Sequence, residues 1–497
     1  MKRISAASIA LVLLFALAGV ASAAKPGNTF TDFTLAATPP NPAGTVCPGS
    51  ALCYNGAAEP AIAVSPTGRF YGSSENALLR GTLAWTSGDN GLHFASTPSP
   101  NDVSVGSDST GQEAGREPGG GDTDAAVATA VNAQGNYNAY VVSLTLANID
   151  ASTSTNNGQT WSLNPATALP VDDRPWVAAT GSSKVCISYL TAPGILVPNV
   201  GLHVQCSYDA GASFTQVADA YDTSDVGLAA SQGGSRTGNL VFDPTNPSYM
   251  YTVFAFENIE DAPNPNAFLH NVGIAASNDG GLTWHDYPVH LNPDISAKYD
   301  NQFVNVAVDK SGVVYVAYSD NHGIFYQYST DRGQTFSAPV QVSQGADTAV
   351  MPWLAAGERG KIDLVYYQAT GYSGNPESAP ASVPWKVVMA QSLAANSPLP
   401  AFGYTTVNSV VHHGGVCEGG ALCTGNRDLY DDFGVEASPT TGLASIIYSD
   451  DQYQNDANHK PNPVKGCTSA LNDQSGCDHT NMATQTAGTG IYTTKKK

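Results

Sequence analysis

Ser277-Asn-Asp279-Gly-Gly281-Leu-Thr283-Trp284 is the stretch on which the reading of this chain turns. Gly281 supplies the positive φ of a tight turn. Ser277 and Asp279 can bond nearby backbone N–H groups and hold that turn. Trp284 then opens the next apolar run, so the octet reads as a braced hairpin. The pattern recurs as Ser87-Gly-Asp89-Asn-Gly91-Leu-His-Phe94, as Ser154-Thr-Asn156-Asn-Gly158-Gln-Thr160-Trp161, as Ser207-Tyr-Asp209-Ala-Gly211-Ala-Ser-Phe214 and as Ser329-Thr-Asp331-Arg-Gly333-Gln-Thr335-Phe336. Copies lie about 50 to 70 residues apart, the scale of one supersecondary unit repeated along the chain.

Around each copy the sequence alternates in the manner of strands. Phe303–Asp309, Val313–Tyr318, Ile324–Ser329 and Phe336–Val342 form one set of four. Innermost strands are expected to begin near Glu59, Asp124, Arg174, Gly238, Gln302, Met351 and Asp432. The sixth set, Pro352 to Asn408, keeps four strands without the turn motif. The seventh has Phe433–Ser438, Leu443–Tyr448 and, after a long insertion, Gly490–Thr494. It lacks an outer strand, which Thr29–Ala37 can supply. The expectation is an all-β chain, a single closed β-propeller of seven four-stranded blades with an N-terminal strand closing the last one. Closure leaves no open sheet edge around the ring.

The charge balance narrows the partners. The 497 residues carry 21 Lys+Arg against 42 Asp+Glu, a formal net charge of −21. That acidity argues against nucleic acid or anionic lipid bound through charge. Lys2 and Arg3, the apolar run Ile9 to Ala18 and Ala21-Ser22-Ala23 read as a cleavable signal peptide over residues 1–23. No later segment reaches the length of an apolar span, so an exported chain is expected, with the propeller occupying residues 24–497.

Eight cysteines fit an oxidising compartment. Cys47–Cys53, Cys417–Cys423 and Cys467–Cys477 would close short loops, and Cys186–Cys206 would join neighbouring strands. No C-x-x-C pair or nearby histidine group favours a metal reading. Val46–Cys53 and Val416–Cys423 echo each other ahead of the first and last innermost strands. Residues 451–488 are rich in Asn, Asp, Gly, Ser and Thr and read as a long loop pinned by Cys467–Cys477.

The five octets resemble the Asp-box, or bacterial neuraminidase repeat, of sialidase-like β-propellers. The resemblance implies that each box lies between the third and fourth strands of a blade, opposite the active face. It also offers six as a rival blade count. It implies a secreted glycoside hydrolase of the exo-sialidase type, in which three arginines clamp a sugar carboxylate, a tyrosine paired with a glutamate attacks, and an aspartate serves as acid and base. Arginine suits the clamp because its fork meets a carboxylate bidentately. The chain offers Arg174, Arg236 and Arg427 as clamp members and Tyr448 or Tyr430 as nucleophile. Asp122, Asp173 or Glu257 could be acid or base. It departs from the family where an Arg-Ile-Pro motif is expected, since Glu59-Pro60-Ala61-Ile62 stands there.

The alternative is a non-catalytic propeller that binds glycan, protein or a surface polymer, its arginines already paired to aspartates. No cofactor is required by either reading. Asp122-x-Asp124 and Asp431-Asp432 carry the hard oxygen ligands that suit a structural Ca²⁺. Tyr318-Ser-Asp320 and Tyr448-Ser-Asp450 recur at matching blade positions, which favours a structural part in the repeat. No H-E-x-x-H, G-x-x-x-x-G-K-[ST] or G-x-S-x-G pattern is present. The expected partner is a glycan or glycoconjugate, and a closed ring makes a monomer the simplest expectation.

Overall fold

A computed structural model describes residues 27–35, 58–75, 82–101, 119–145, 148–164, 172–191, 201–221, 236–258, 260–261, 264, 267–299, 303–417, 429, 432–451 and 479–493. The five serine-led turns take the conformation their residues imply. In each, two successive residues have positive φ, such as Asn90 and Gly91 (63° and 86°) or Gly280 and Gly281 (80° and 91°). That geometry matches the twist of a tight hairpin. Ser277 Oγ donates to Asp279 Oδ1 (2.8 Å) and accepts from the Gly281 N–H (2.9 Å). Asp279 Oδ1 in turn accepts the Thr283 N–H at 3.0 Å. The same three bonds recur at Ser207–Asp209 and Ser329–Asp331. Each turn links the third strand of a blade to the fourth, as at Asn271–Ser277 and His285–Leu291.

The strands assemble into seven four-stranded antiparallel sheets. Seven is therefore the blade count. The innermost strands are Ala58–Val64, Gly119–Val131, Asp172–Thr180, Arg236–Phe242, Asn305–Val308, Ala349–Ala356 and Gly434–Ala437. The outermost strand of blade 7 is Thr29–Thr34, paired with His479–Ala487 from Thr29↔Ala487 to Thr34↔Asn481. The N-terminal strand thus closes the ring as expected.

One strand differs from the sequence reading. The third strand of blade 7 is His479–Ala487, within the stretch read as loop, and Gly490–Thr494 is not a strand of this sheet. Its residues, His-Thr-Asn-Met-Ala-Thr-Gln-Thr-Ala, are mostly polar, so hydrophobic periodicity does not mark them. His479–Gln485 is nevertheless buried, and polar groups there find partners in the same and the neighbouring blade. Asn481 donates to Asp450 (2.9 Å), and Thr484 donates to the Gly91 carbonyl (2.6 Å).

Apolar burial is organised between blades. Seven hydrophobic clusters fill the seven wedges between consecutive sheets among the described residues. The wedge joining blade 7 to blade 1 holds Leu35, Ile62, Phe70, Leu83, Trp85, Ile447 and Met482. The innermost strands have no fifth strand to pair their free edges, and buried backbone groups need partners. Side chains of the neighbouring blade supply them. Asp124 accepts the Val177 N–H (2.8 Å), Asn239 the Val306 N–H (2.8 Å) and Asn305 the Leu354 N–H (2.8 Å). Cys186 and Cys206 face each other across the second and third strands of blade 3 and form a disulfide. Cys417 is also disulfide-bonded. The other expected pairings involve residues outside those described.

Candidate functional site

Three innermost strands begin with the same device. Glu59-Pro60, Arg174-Pro175 and Met351-Pro352 each place a non-glycine residue at positive φ (52°, 59° and 56°) directly before a proline. Pairing with the second strand slips at each point, between Ala58 and Ala61, Asp173 and Trp176, and Val350 and Trp353. Proline is tolerated because the channel-side edge of the innermost strand needs no ladder N–H there. The bulge re-aims the preceding side chain, and strain of this kind gathers at functional sites.

The re-aimed side chains meet. Arg174 Nη1 lies 2.6 Å from Asp122 Oδ1, and both residues are buried. The Asp122 N–H donates to Glu59 Oε2 at 2.7 Å. The Arg174 guanidinium sits over the Phe303 ring at 4.5 Å. Trp176 packs edge-on to Phe303 at 5.2 Å and against Trp353 at 5.5 Å, while its Nε1–H donates to the Thr237 carbonyl. Groups from blades 1 to 6 thus converge at the start of the innermost strands. There they fill the axis of the propeller.

The sequence candidates divide accordingly. Arg174 and Asp122 come together. Asp173 is half-buried beside them, and its Oδ1 accepts the Arg174 N–H at 3.0 Å. Glu257 follows the second strand of blade 4, partly exposed. Arg236 opens the innermost strand of blade 4. Arg427 and Tyr430 lie outside the described residues.

Tyr448 is elsewhere. It is 0% exposed, in the wedge between blades 6 and 7, with its hydroxyl against the outermost strands of both. That hydroxyl donates to Asp32 Oδ2 at 2.5 Å and accepts from Asn408 Nδ2 at 3.1 Å. Burial, and then the negative charge of Asp32 and Asp450, hold it well above the usual phenol range. Both oxygens of Asp124 accept backbone N–H groups, from Ala125 and Val177. No group of three or more His, Cys, Asp or Glu is placed to hold a metal among the described residues.

Sequence reasoning placed Glu59 and Trp176 at strand entrances but did not foresee that Glu59 joins the Arg174–Asp122 network or that Trp176 meets Phe303 and Trp353. The repeated X-Pro at three strand starts was the available signal. It also passed over the central cavity. This space, about 470 Å³, runs from Trp353 along the innermost strands, with Asp124 and Glu436 in its wall and Asp243, Lys310 and Tyr492 toward its other end.

Three buried carboxyls and the half-buried Glu436 make stability depend on pH. Burial pushes Asp32, Asp124 and Asp363 up to about 7 and Glu436 up to about 8. In the unfolded chain such groups release their protons near pH 4. Between these limits the folded state binds more protons, so its stability falls as pH rises from about 4 to 8. Asp209 acts oppositely. The Ser213 and Ser207 hydroxyls and the Ser213 N–H hold it down at about 2, and its contribution is lost as pH falls from about 4 to 2. Calorimetry should therefore show Tm highest near pH 4–5 and lower by at least about 5 °C at pH 8.5. Glu436→Gln should flatten the alkaline side, and an alkaline slope equal to wild type would contradict the assignment.

No family model and no curated protein matches the chain. Similar solved structures include a fucose-specific lectin from Aleuria aurantia, at 10% identity and TM-score 0.42, over 70% of this chain and 94% of that one. The Hadza microbial sialidase Hz136 is similar at 12% identity and TM-score 0.40, over 62% of this chain and 63% of that one. A GH93 α-L-arabinofuranosidase of Fusarium graminearum, in complex with arabinobiose, is similar at 15% identity and TM-score 0.42, over 67% and 92%. At this level the likeness is one of general architecture.

Proposed function

We propose that the chain is an exported, monomeric propeller that binds a glycan or glycoconjugate at the face where its innermost strands begin, without hydrolysing it. The carrying observation is the engagement of Arg174. Its guanidinium is committed to Asp122 at 2.6 Å and to the Phe303 ring, inside a buried network. A clamp for a sugar carboxylate needs a guanidinium fork open to the ligand. Tyr448 lacks support as the nucleophile for the same reason, since its hydroxyl is spent on Asp32 and Asn408 away from Arg174. The glycan class rests on the resemblance of the five boxes to the sialidase-like repeat. Export rests on the N-terminal leader-like sequence, with the Cys186–Cys206 bridge in agreement. The closed ring supports a monomer.

The test pairs a glycan array with a fluorogenic glycoside panel that includes an α-sialoside and is run with and without Ca²⁺. Saturable binding to a subset of glycans with no turnover is the expected result. Turnover of the sialoside by the wild type would overturn it, in favour of the exo-sialidase where Arg174→Ala, shown to be folded by circular dichroism, loses about a hundredfold, roughly 3 kcal/mol of transition-state binding. Absence of both binding and turnover would remove glycans as the ligand class.

A further inference from the structure

The central cavity is built differently at its two ends. At the strand starts, Arg174, Trp176, Phe303 and Trp353 meet across the axis and stop it. At the other end, lining residues such as Thr129, Pro244, Pro247 and Lys310 are exposed. That end lies on the side of the serine-led turns, because each innermost strand runs from the stopped end toward it. The wall between is mainly aliphatic, with Val177, Leu240, Val306 and Leu354. Two carboxyl groups interrupt it, Asp124 of blade 2 and Glu436 of blade 7.

Neither carboxyl is in an ion pair among the described residues. Asp124 meets only the backbone N–H groups of Ala125 and Val177, and Glu436 only that of Ala437. When ionised, two carboxylates in an aliphatic wall suit a cation with an apolar stem; Lys310, which also lines the cavity, is paired with Glu358 at 3.3 Å. A bare metal ion fits less well, since no described group of three ligands converges. The rim already handles ammonium groups. Lys310 Nζ lies 4.3 Å from the Tyr492 ring centre and Lys184 Nζ 5.3 Å from that of Phe242, both rings lining the cavity. A ligand ammonium therefore enters past Lys310, whose charge is shared between the Tyr492 ring and Glu358. The volume, about 470 Å³, lies within the range of small-molecule sites. The net charge of −21 would draw cations toward the molecule.

We propose that this cavity is a second binding site, open on the face of the serine-led turns, which takes the ammonium end of a slender aliphatic amine against Glu436 and Asp124. The inference does not rest on the glycan reading, which concerns the opposite face. A supporting consequence concerns protons. Burial holds Asp124 up at about 7 and Glu436 at about 8. Tyr492 also faces Glu436, with Lys310, Glu358 and Asp363 around that ring. An entering ammonium favours the ionised carboxylates, so binding near pH 7 releases protons.

Isothermal titration of the mature chain with pentane-1,5-diamine tests this, with pentane-1,5-diol as the neutral isostere and calcium chloride as the metal arm. Saturable binding of the diamine is expected, with a heat that varies with the ionisation enthalpy of the buffer, and none of the diol. Glu436→Gln should weaken it at least tenfold. Ala356→Leu, which fills the cavity without changing charge, should do likewise. Circular dichroism establishes that each variant is folded. No diamine binding by folded wild type, equal affinity in folded Glu436→Gln, or diol bound as tightly would each overturn the proposal. Calcium binding with the diamine silent would overturn it in favour of a metal site.

Discussion

A chain lacking residues 24–35 is expected not to form a stable propeller at 25 °C. Thr29–Thr34 is the outermost strand of blade 7, and its loss strips six paired positions from His479–Ala487. Leu35, 2% exposed, leaves the wedge that joins blade 7 to blade 1. Burying a leucine is worth about 1.5–3 kcal/mol. Asp32 leaves as well, and its absence removes the acceptor of the Tyr448 hydroxyl and a partner of Asn408 deep in the next wedge. Each buried polar group left unpaired costs about 1–3 kcal/mol. The sum reaches the whole stability of an ordinary domain, about 5–15 kcal/mol. The exposed edge of His479–Ala487 would then template association. Size-exclusion chromatography and thermal melts of the chain with and without residues 24–35 read this out. Aggregation or a lost cooperative transition is expected, with partial rescue by a peptide spanning residues 24–37. A soluble monomer melting within about 3 °C of the intact chain would show that the ring does not depend on its closing strand.

The ring was legible because its turns are local. Gly281, Asp279 and Ser277 act within eight residues, so sequence alone exposes them, and five copies set the register of five blades. Blade 7 was harder. His479–Ala487 carries Thr, Asn and Gln where strands usually show aliphatic alternation, because contacts on both sides bury polar as well as apolar groups. Periodicity reports one buried face and fails when polar pairing replaces it. The mouth was legible in residue type and not in partner. Arg174 and Asp122 are 52 residues apart in sequence, and nothing local says that they form a pair. Tyr448 shows the converse. Its Tyr-Ser-Asp echo of Tyr318-Ser-Asp320 marked a repeat position, and the structure places both tyrosines in buried wedges between blades.

Arg174→Ala is expected to destabilise the fold by about 3–5 kcal/mol, because it removes the guanidinium that lies 2.6 Å from the buried Asp122 carboxylate. Lost contact with the Phe303 ring adds to this, since a cation over an aromatic face contributes roughly 0.5–2 kcal/mol. The cost of the truncation is therefore larger than the net worth of the pair. Replacing both partners separates the two quantities. Arg174→Met with Asp122→Asn keeps the volume and removes both charges, and this double variant should recover most of the loss, since apolar or neutral substitutes for a buried pair are often close to neutral. Denaturant unfolding of wild type, both single variants and the double variant closes the cycle, with a coupling of about 1–3 kcal/mol expected for groups in direct contact. The number also bears on function. A strongly coupled pair holds the guanidinium away from any sugar carboxylate, as a non-hydrolytic binder requires. An Arg174→Ala cost below about 1 kcal/mol, the range of solvated surface pairs, would mean that the pair opens readily in solution. The guanidinium would then be free to clamp a ligand, and the hydrolase reading would regain the group that the geometry withholds from it.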